Sequence, residues 1–138
     1  MISTRGRYAL RVMIDLAEHD NGEYIPLNEI AERQEISQQY LEIVIKTLVQ
    51  KRLLKGLRGK NGGYKLTKSA SEYSVGEILE LAEGSLATVA CLEDGAEECP
   101  RKGVCKTLPM WSQFDRLMRN YFYGITLDDL VNGNLKDT

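Results

Sequence analysis

Long apolar runs are missing from this sequence, and so are several motifs on which enzymes depend. No apolar stretch approaches the ~20 residues that cross a bilayer, and residues 1–7 lack the apolar run of a signal peptide. There is one histidine and no glycine-rich phosphate-binding loop. These absences argue against a membrane protein, a nucleotide hydrolase and an enzyme that pairs a nucleophile with a histidine base. We therefore expect a cytoplasmic protein that is not an enzyme.

Cysteine is also scarce, and this limits the ways in which the chain can be stabilised. Three cysteines cannot all pair within one chain, so a disulfide framework is not expected. In a reducing compartment such residues persist as thiols or serve as metal ligands. The 138 residues, 43% hydrophobic and 28% charged, are typical of one compact globular domain or of a small domain with an appendage.

Charge is unevenly distributed along the chain. The net charge is only -2, yet residues 1–72 carry 12 basic and 9 acidic side chains, whereas residues 73–138 carry 6 and 11. Within residues 33–68 nine basic residues face only Glu35 and Glu42. A local cationic surface on an otherwise acidic protein is typical of a protein that binds a polyanion. Charge alone leaves open the alternative that these are ordinary solvated helix faces.

The first part of the chain has the apolar spacing of three helices. Apolar residues recur every three or four positions in Thr4–Glu18, in Leu27–Gln34 and in residues 37–53, where Ser37 can serve as the N-cap. Only residues 35 and 36 separate the second helix from the third. Two helices joined by so short a turn predict a helix-turn-helix.

A hairpin is predicted directly after these helices. Residues 54–58 and 63–67 alternate with a two-residue period, and Asn61 with Gly62 supplies the positive backbone angles of a tight turn. A ribbon that only packs against helices would show the same pattern. The basic residues at and beside the tip are Arg58, Lys60 and Lys65. This charge favours a DNA-binding wing, so that residues 1–72 form a winged helix-turn-helix domain.

The second part, residues 73–138, contains a long loop. Ser74 and Glu77 form a capping-box pattern that opens a short helix running to Glu83. Residues 85–106 then show no sustained periodicity and contain all the cysteines. Loops of this length in a compact domain are generally functional or disordered. We interpret this one as a sensor loop.

A long helix and a short one complete the chain. Thr107 and Pro109 start the long helix, and Thr126 caps the short one, which ends near Gly133. The apolar seam of the long helix consists of Trp111, Phe114, Leu117, Met118, Tyr121 and Phe122. The seam must pack on the first helix of its own chain or on a second subunit, and twofold symmetry favours a homodimer. The predicted fold is mostly α with a small β-hairpin wing, plus a long C-terminal dimerisation helix.

The helix-turn-helix interpretation defines candidate DNA-binding residues. The start of the second helix enters the major groove, where glutamine can pair with adenine and a carboxylate can accept a hydrogen bond from cytosine. Glu42 is therefore either a specificity residue or an ordinary surface charge. Lys46 suits a phosphate, and a wing arginine or lysine suits the minor groove. The candidates are Ser37, Gln38, Gln39, Tyr40, Glu42, Lys46, Arg58, Lys60 and Asn61.

The cysteines define a candidate metal site. Cys91, Cys99 and Cys105 have the spacing C-x7-C-x5-C, and their thiolates are soft ligands that suit iron-sulfur clusters, zinc or copper. The alternative is a set of free thiols, two of which form a regulatory disulfide.

Several motifs resemble those of the family of the iron-sulfur cluster regulator IscR, whose relatives include the nitric-oxide sensor NsrR and the cysteine-metabolism repressor CymR. The similar segments are residues 3–10, 36–42, 58–64 and 125–130, together with the cysteine loop. The resemblance implies a dimeric bacterial winged-helix transcription regulator, often a repressor, whose three cysteines hold a [2Fe-2S] or [4Fe-4S] cluster. It also implies that Tyr40 and Glu42 lie on the recognition helix and that Arg58 enters the minor groove.

The sequence departs from the family at the fourth cluster ligand. IscR-like proteins have a histidine where this chain has Leu108, and NsrR-like proteins have an aspartate where it has Arg7. The remaining candidates are Glu93, Asp94, Glu97, Glu98, His19 and a residue of the other subunit. An alternative function is that of a cluster-free thiol regulator of cysteine or sulfur metabolism that acts through a partner protein.

Overall fold

The computed structural model describes residues 2–135. Its helices and strands are α1 (Thr4–Glu18), α2 (Leu27–Gln34), α3 (Gln38–Gln50), β1 (Leu54–Leu57), β2 (Gly63–Leu66), α4 (Val75–Glu83), α5 (Leu108–Tyr123) and α6 (Leu127–Asn132). Short 3-10 turns lie at Ala70–Glu72 and Ala90–Leu92. This helical fold with one antiparallel hairpin confirms the predicted fold class. In the described part of the chain, no helix has the length and apolar character needed to cross a membrane.

Helix α1 lies at the centre of the core and has the bounds predicted for it. Ser3 caps its first turn by accepting a hydrogen bond from the Arg5 N–H. The apolar spacing buries Val12, Met13 and Leu16 on one side, and α1 packs against α2, α3, α4 and α6. The apolar core is thus continuous across residue 72. The division into residues 1–72 and 73–138 stays a prediction.

The helix-turn-helix forms where it is predicted, but its second helix is shorter. Glu35 takes a left-handed conformation with φ 54° in the turn, and the Ser37 hydroxyl caps α3 by accepting from the Tyr40 N–H at 3.2 Å. Helix α3 ends at Gln50 rather than at Leu53. The reason is that Arg52 adopts a positive φ of 63°, which turns the chain back so that the Leu53 N–H bonds to the Leu48 carbonyl at 2.9 Å.

The wing is an antiparallel hairpin in which Leu54 pairs with Leu66. Its turn differs from the prediction, because the positive φ angles fall on Gly59, Asn61 and Gly63 and not on Gly62. Gly62 is needed for a different reason: a Cβ at this position would collide with the carbonyl oxygens of residues 57 and 59. Both strands also end one residue earlier than predicted.

Two contacts fix the wing to the helices. Ile25, just before α2, exchanges backbone hydrogen bonds of 2.9 Å with Tyr64 on β2. At the base of the hairpin, the buried Tyr73 hydroxyl donates to the Leu53 carbonyl at 2.7 Å and accepts from the Thr67 N–H at 2.8 Å. Because these bonds join α2, β2 and the turn after α3, the wing is held in one position relative to α3.

Helix α5 packs on α4 and presents two different faces. Met118 and Phe122 pack against a small apolar cluster on α4, and Arg119 forms ion pairs with Asp115 at 2.8 Å and Glu80 at 3.1 Å. Phe114, Leu117 and Tyr121 point outward and are exposed, as is Met110. The predicted seam is thus divided: Met118 and Phe122 form its packed edge, whereas Phe114, Leu117 and Tyr121 form an exposed edge.

Of the two predicted caps, that of α4 forms only in part and that of α6 forms completely. Ser74 accepts a hydrogen bond from the Glu77 N–H at 3.0 Å, while the Glu77 side chain pairs instead with Lys68 at 3.5 Å. Thr126 and Asp129 form a reciprocal capping box that starts α6. The buried Leu127 then enters the main core beside α1.

Candidate DNA interface and cysteine-lined cavity

The predicted recognition residues lie on the exposed side of α3. Gln38, Gln39, Glu42 and Lys46 are all exposed, because the buried residues of this helix lie on the opposite side. Tyr40 differs from them. Its half-buried ring packs edge-on against Tyr8 of α1 with 5.4 Å between the ring centroids. Tyr40 therefore joins α1 to the first turn of α3.

The recognition helix and the wing enclose one open cleft. It has a volume of about 800 Å³, and its walls include Glu42, Lys46 and Arg58. Lys60 and Asn61 are exposed on the adjoining wing tip. The structure thus brings Glu42, Lys46 and Arg58 of the predicted set to one cleft, whose charged residues are cationic except for Glu42. A surface of this kind attracts the phosphates of a duplex.

An ion pair between a buried aspartate and a partly exposed arginine was missed by the sequence analysis. Asp15 is 1% exposed, and its carboxylate accepts hydrogen bonds from Arg33 at 2.8 and 3.0 Å and from the Gln34 amide at 2.9 Å. The hydrogen bonds that Arg33 donates to Asp15 raise the pKa of the Arg33 guanidinium. Arg11 of α1 also donates to Gln34. The one acidic residue on the apolar face of α1 was the available signal.

This network fixes α1 to the last turn of α2, directly before the turn that orients α3. Replacing Arg33 by methionine would leave the Asp15 carboxylate buried without its cationic partner. We expect the free energy of unfolding to fall by about 3 kcal/mol, at the low end of the range for breaking a buried pair because water can enter beside the partly exposed arginine. Urea denaturation measures this loss.

Glu29→Gln provides the matched control for the same arginine. Glu29 lies 3.9 Å from Arg33 at the surface, where its side chain is 52% exposed, so its loss should cost less than about 0.5 kcal/mol. Equal destabilisation by the two variants would show that the Asp15 pair does not carry this stability.

The cysteine loop folds around a second cavity. Cys91, Cys99 and Cys105 all line this space of about 390 Å³ next to the start of α5. Cys105 lies three residues before the first residue of α5, and its sulfur is 3.4 Å from the Thr107 hydroxyl. The hydrogen bond with that hydroxyl is the largest cause that lowers the pKa of the Cys105 thiol, and hydrogen bonds with the backbone N–H groups of Thr107 and Leu108 lower it further. A lowered pKa favours the thiolate, which is the form that binds metals.

The donor atoms around the cavity fit three thiolate ligands. The same walls include Glu97, Glu98 and Ser112, whereas the Leu108 side chain has no donor atom for a metal. Within residues 2–135 no group of three His, Cys, Asp or Glu side chains is already assembled at metal-binding distances. The cysteines share a cavity without converging, so loading a cluster requires the loop to close around it.

The other candidates for a fourth ligand lie elsewhere. Glu93 and Asp94 are exposed residues of the loop, and Arg7, which stands where NsrR-like proteins have an aspartate, is exposed on α1. His19 is the C-cap of α1, where its Nδ1 lies 2.8 Å from the Asp15 carbonyl oxygen. Its position agrees with a capping role.

The end of α4, directly before the cysteine loop, is fastened to the start of α1. The Glu83 carboxylate accepts hydrogen bonds from the backbone N–H groups of Ser3 and Gly6, both at 2.9 Å. It also accepts a bond from the Ser3 hydroxyl at 2.8 Å. A Cβ on Gly6 would collide with this carboxylate. Only Gly84 separates Glu83 from the cysteine loop, so the Glu83 carboxylate links the start of this loop to the start of α1.

A helix-turn-helix, a fixed hairpin and one cleft between them define a winged-helix DNA-binding protein. The chain belongs to the Rrf2 family, whose model, described as an iron-dependent transcriptional regulator, matches residues 2–133. This membership confirms the family resemblance.

Named relatives and solved structures agree with this family. The chain is 37% identical to the HTH-type transcriptional regulator IscR of Pectobacterium carotovorum over 131 residues, which is 95% of this chain and 79% of that protein. The structure of CymR, the global cysteine regulator of B. subtilis, is similar with a TM-score of 0.77 at 31% identity, covering 99% of this chain and 98% of CymR. T. potens IscR gives 0.76 at 30% identity, with 98% and 88% covered.

Proposed function

We propose that this protein is a homodimeric transcription regulator that binds duplex DNA through α3 and the wing and carries an iron-sulfur cluster on its cysteine loop. The observation that carries the proposal is that Cys91, Cys99 and Cys105 line one cavity beside α5. The family model and the similarity to IscR support the same function.

DNA recognition follows from the exposed face of α3. Its first turns enter the major groove, where Ser37, Gln38, Gln39, Tyr40 and Glu42 reach base edges. Lys46 contacts phosphate. On the wing, Arg58 and Lys60 enter the minor groove with Asn61 at the turn. Glu42 repels phosphate and accepts hydrogen bonds, so it adds to specificity more than to affinity.

The cluster would be held by the three cysteines, and Glu97 and Glu98, whose side chains line the same cavity, are the candidates for the fourth position. When bound, such a cluster supplies reactivity toward oxidants and nitric oxide. Closing the loop around it changes the position of residues between α4 and α5. Because Glu83 fastens α4 to α1, this change shifts the balance between DNA-binding-competent and other arrangements of the dimer.

A second candidate function is a cluster-free thiol switch that acts through a partner protein. Its support is the similarity to CymR of B. subtilis and the absence of an assembled ligand group in residues 2–135. Titrating DNA affinity with and without reductant, on protein shown to contain no iron, separates the two. An affinity that responds to reductant alone favours the thiol switch.

The wing is tested by Arg58→Ala. The probe is the duplex that binds most tightly in a selection from random DNA, measured by fluorescence anisotropy at physiological salt. Loss of the guanidinium should weaken binding about 10–100-fold, as expected for one arginine that contacts a groove directly. Arg116 is an exposed arginine on α5. Arg116→Ala is the control, and it should bind as the wild type does. Unchanged affinity of Arg58→Ala would remove the wing from the interface.

A further inference from the structure

The recognition helix carries an exposed aliphatic side chain in the middle of its polar face. Ile43 is 59% exposed, whereas the other β-branched residues two turns from the helix start, Val44 and Ile45, are at most 1% exposed. Helical geometry places Gln39 one turn before Ile43 and Lys46 one turn after it. Both neighbours are exposed and polar, so Ile43 lies on the outward side of α3.

Packing within residues 2–135 does not account for this side chain. The buried stripe of α3 consists of Leu41, Val44, Ile45 and Leu48, and Ile43 belongs neither to the core nor to the partly buried residues packed against it. It also is not among the residues that line the cleft between α3 and the wing. Ile43 therefore lies exposed on the outward side of α3, beside the cleft residues Glu42 and Lys46.

The major groove offers an apolar group of the right kind. Thymine alone among the bases presents a methyl group there, and apolar side chains recognise it by contact. The neighbouring Gln39 amide can bond to adenine in the same groove. We propose that Ile43 is a specificity-determining residue that contacts the 5-methyl group of a thymine in each half-site. This inference rests on the proposed function, since it requires α3 to enter the major groove.

Deoxyuridine provides a direct test, because it lacks only the methyl group of thymine. Each thymine of the selected duplex is replaced in turn, at the equivalent position of both half-sites, and affinity is measured by anisotropy. At one position the wild type should lose about fourfold per half-site, which corresponds to the transfer free energy of one buried methyl. Ile43→Ala should bind the thymine and uracil duplexes equally at that position.

Leu57→Ala is the matched control, because Leu57 is an aliphatic residue exposed on the neighbouring wing. It should keep the uracil penalty whatever its own affinity. A wild type that binds the selected duplex yet tolerates uracil everywhere would overturn the role of Ile43 and leave the proposed function standing. The role is also overturned if Ile43→Ala keeps the full penalty. Absence of salt-dependent binding to any duplex would instead overturn the proposed function, and this inference with it.

Discussion

Cys99→Ser protein purified without oxygen should contain neither iron nor acid-labile sulfide, whereas the wild type should be coloured and contain both. The reason is that Cys99 is one of three thiols on the wall of a single cavity, and a serine hydroxyl is a much harder and less acidic donor than a thiol. With only two thiolates left, an iron-sulfur cluster has too few soft ligands to persist. Absorbance in the visible range, with iron and sulfide analysis, measures the outcome.

The same loss is expected for Cys91→Ser and Cys105→Ser, because each removes one of the same ligands. Val104→Ser is the matched control: it places a serine in the same loop at an exposed position and removes no thiol, so the cluster should remain. A colourless wild type after anaerobic reconstitution would contradict cluster binding and favour the thiol switch. Retention of iron by all three cysteine variants would show that the metal is held elsewhere.

The parts of the fold that depend only on residues close together in the sequence could be predicted from it. Ser37 and Thr126 cap the helices that they were predicted to cap, because capping needs only a side-chain oxygen and the N–H groups two or three residues later. The bounds of α1 and α2 follow equally from local spacing. The end of α3 does not. The left-handed Arg52 is imposed by the connection to β1, and an arginine carries no local signal for that conformation.

Some features of the candidate site could likewise be predicted from the sequence, and others could not. Residue type and order placed Glu42, Lys46 and Arg58 together, because a helix-turn-helix followed by a wing fixes which sides face outward. The Asp15 to Arg33 pair joins residues 18 positions apart and depends on how α1 crosses α2, which periodicity does not define. Likewise, periodicity does not show which apolar residues of α5 pack on α4; in the structure they are Met118 and Phe122.

Leu117→Glu, a substitution on the outer face of α5, is expected to abolish the dimer. Met110, Phe114, Leu117 and Tyr121 follow one another at intervals of four, three and four residues, which places them along one stripe of the kind found between paired helices. Leu117 is the most exposed of them at 69%. In the proposed homodimer, a second copy of α5 related by a twofold axis would cover this stripe with its own.

A glutamate in this stripe would bring two carboxylates close to the symmetry axis in an apolar contact, where neither has a cationic partner. Leu117→Glu should therefore be a monomer in analytical ultracentrifugation at concentrations where the wild type is a dimer. Its DNA affinity should fall about 10²–10⁴-fold, because two recognition helices no longer bind two half-sites as one unit.

The neighbouring Arg116 provides the control for this change. Arg116→Glu makes a larger change in charge at an exposed position, but 100° per residue turns it away from the apolar stripe. It should remain dimeric and lose little DNA affinity at physiological salt. If Leu117→Glu stays dimeric as well, the subunits meet through a different surface. If Leu117→Glu becomes monomeric and still binds the full duplex as tightly as the wild type, the two half-sites are not bound together. In that case the cysteine loop cannot control DNA binding by repositioning one recognition helix relative to the other.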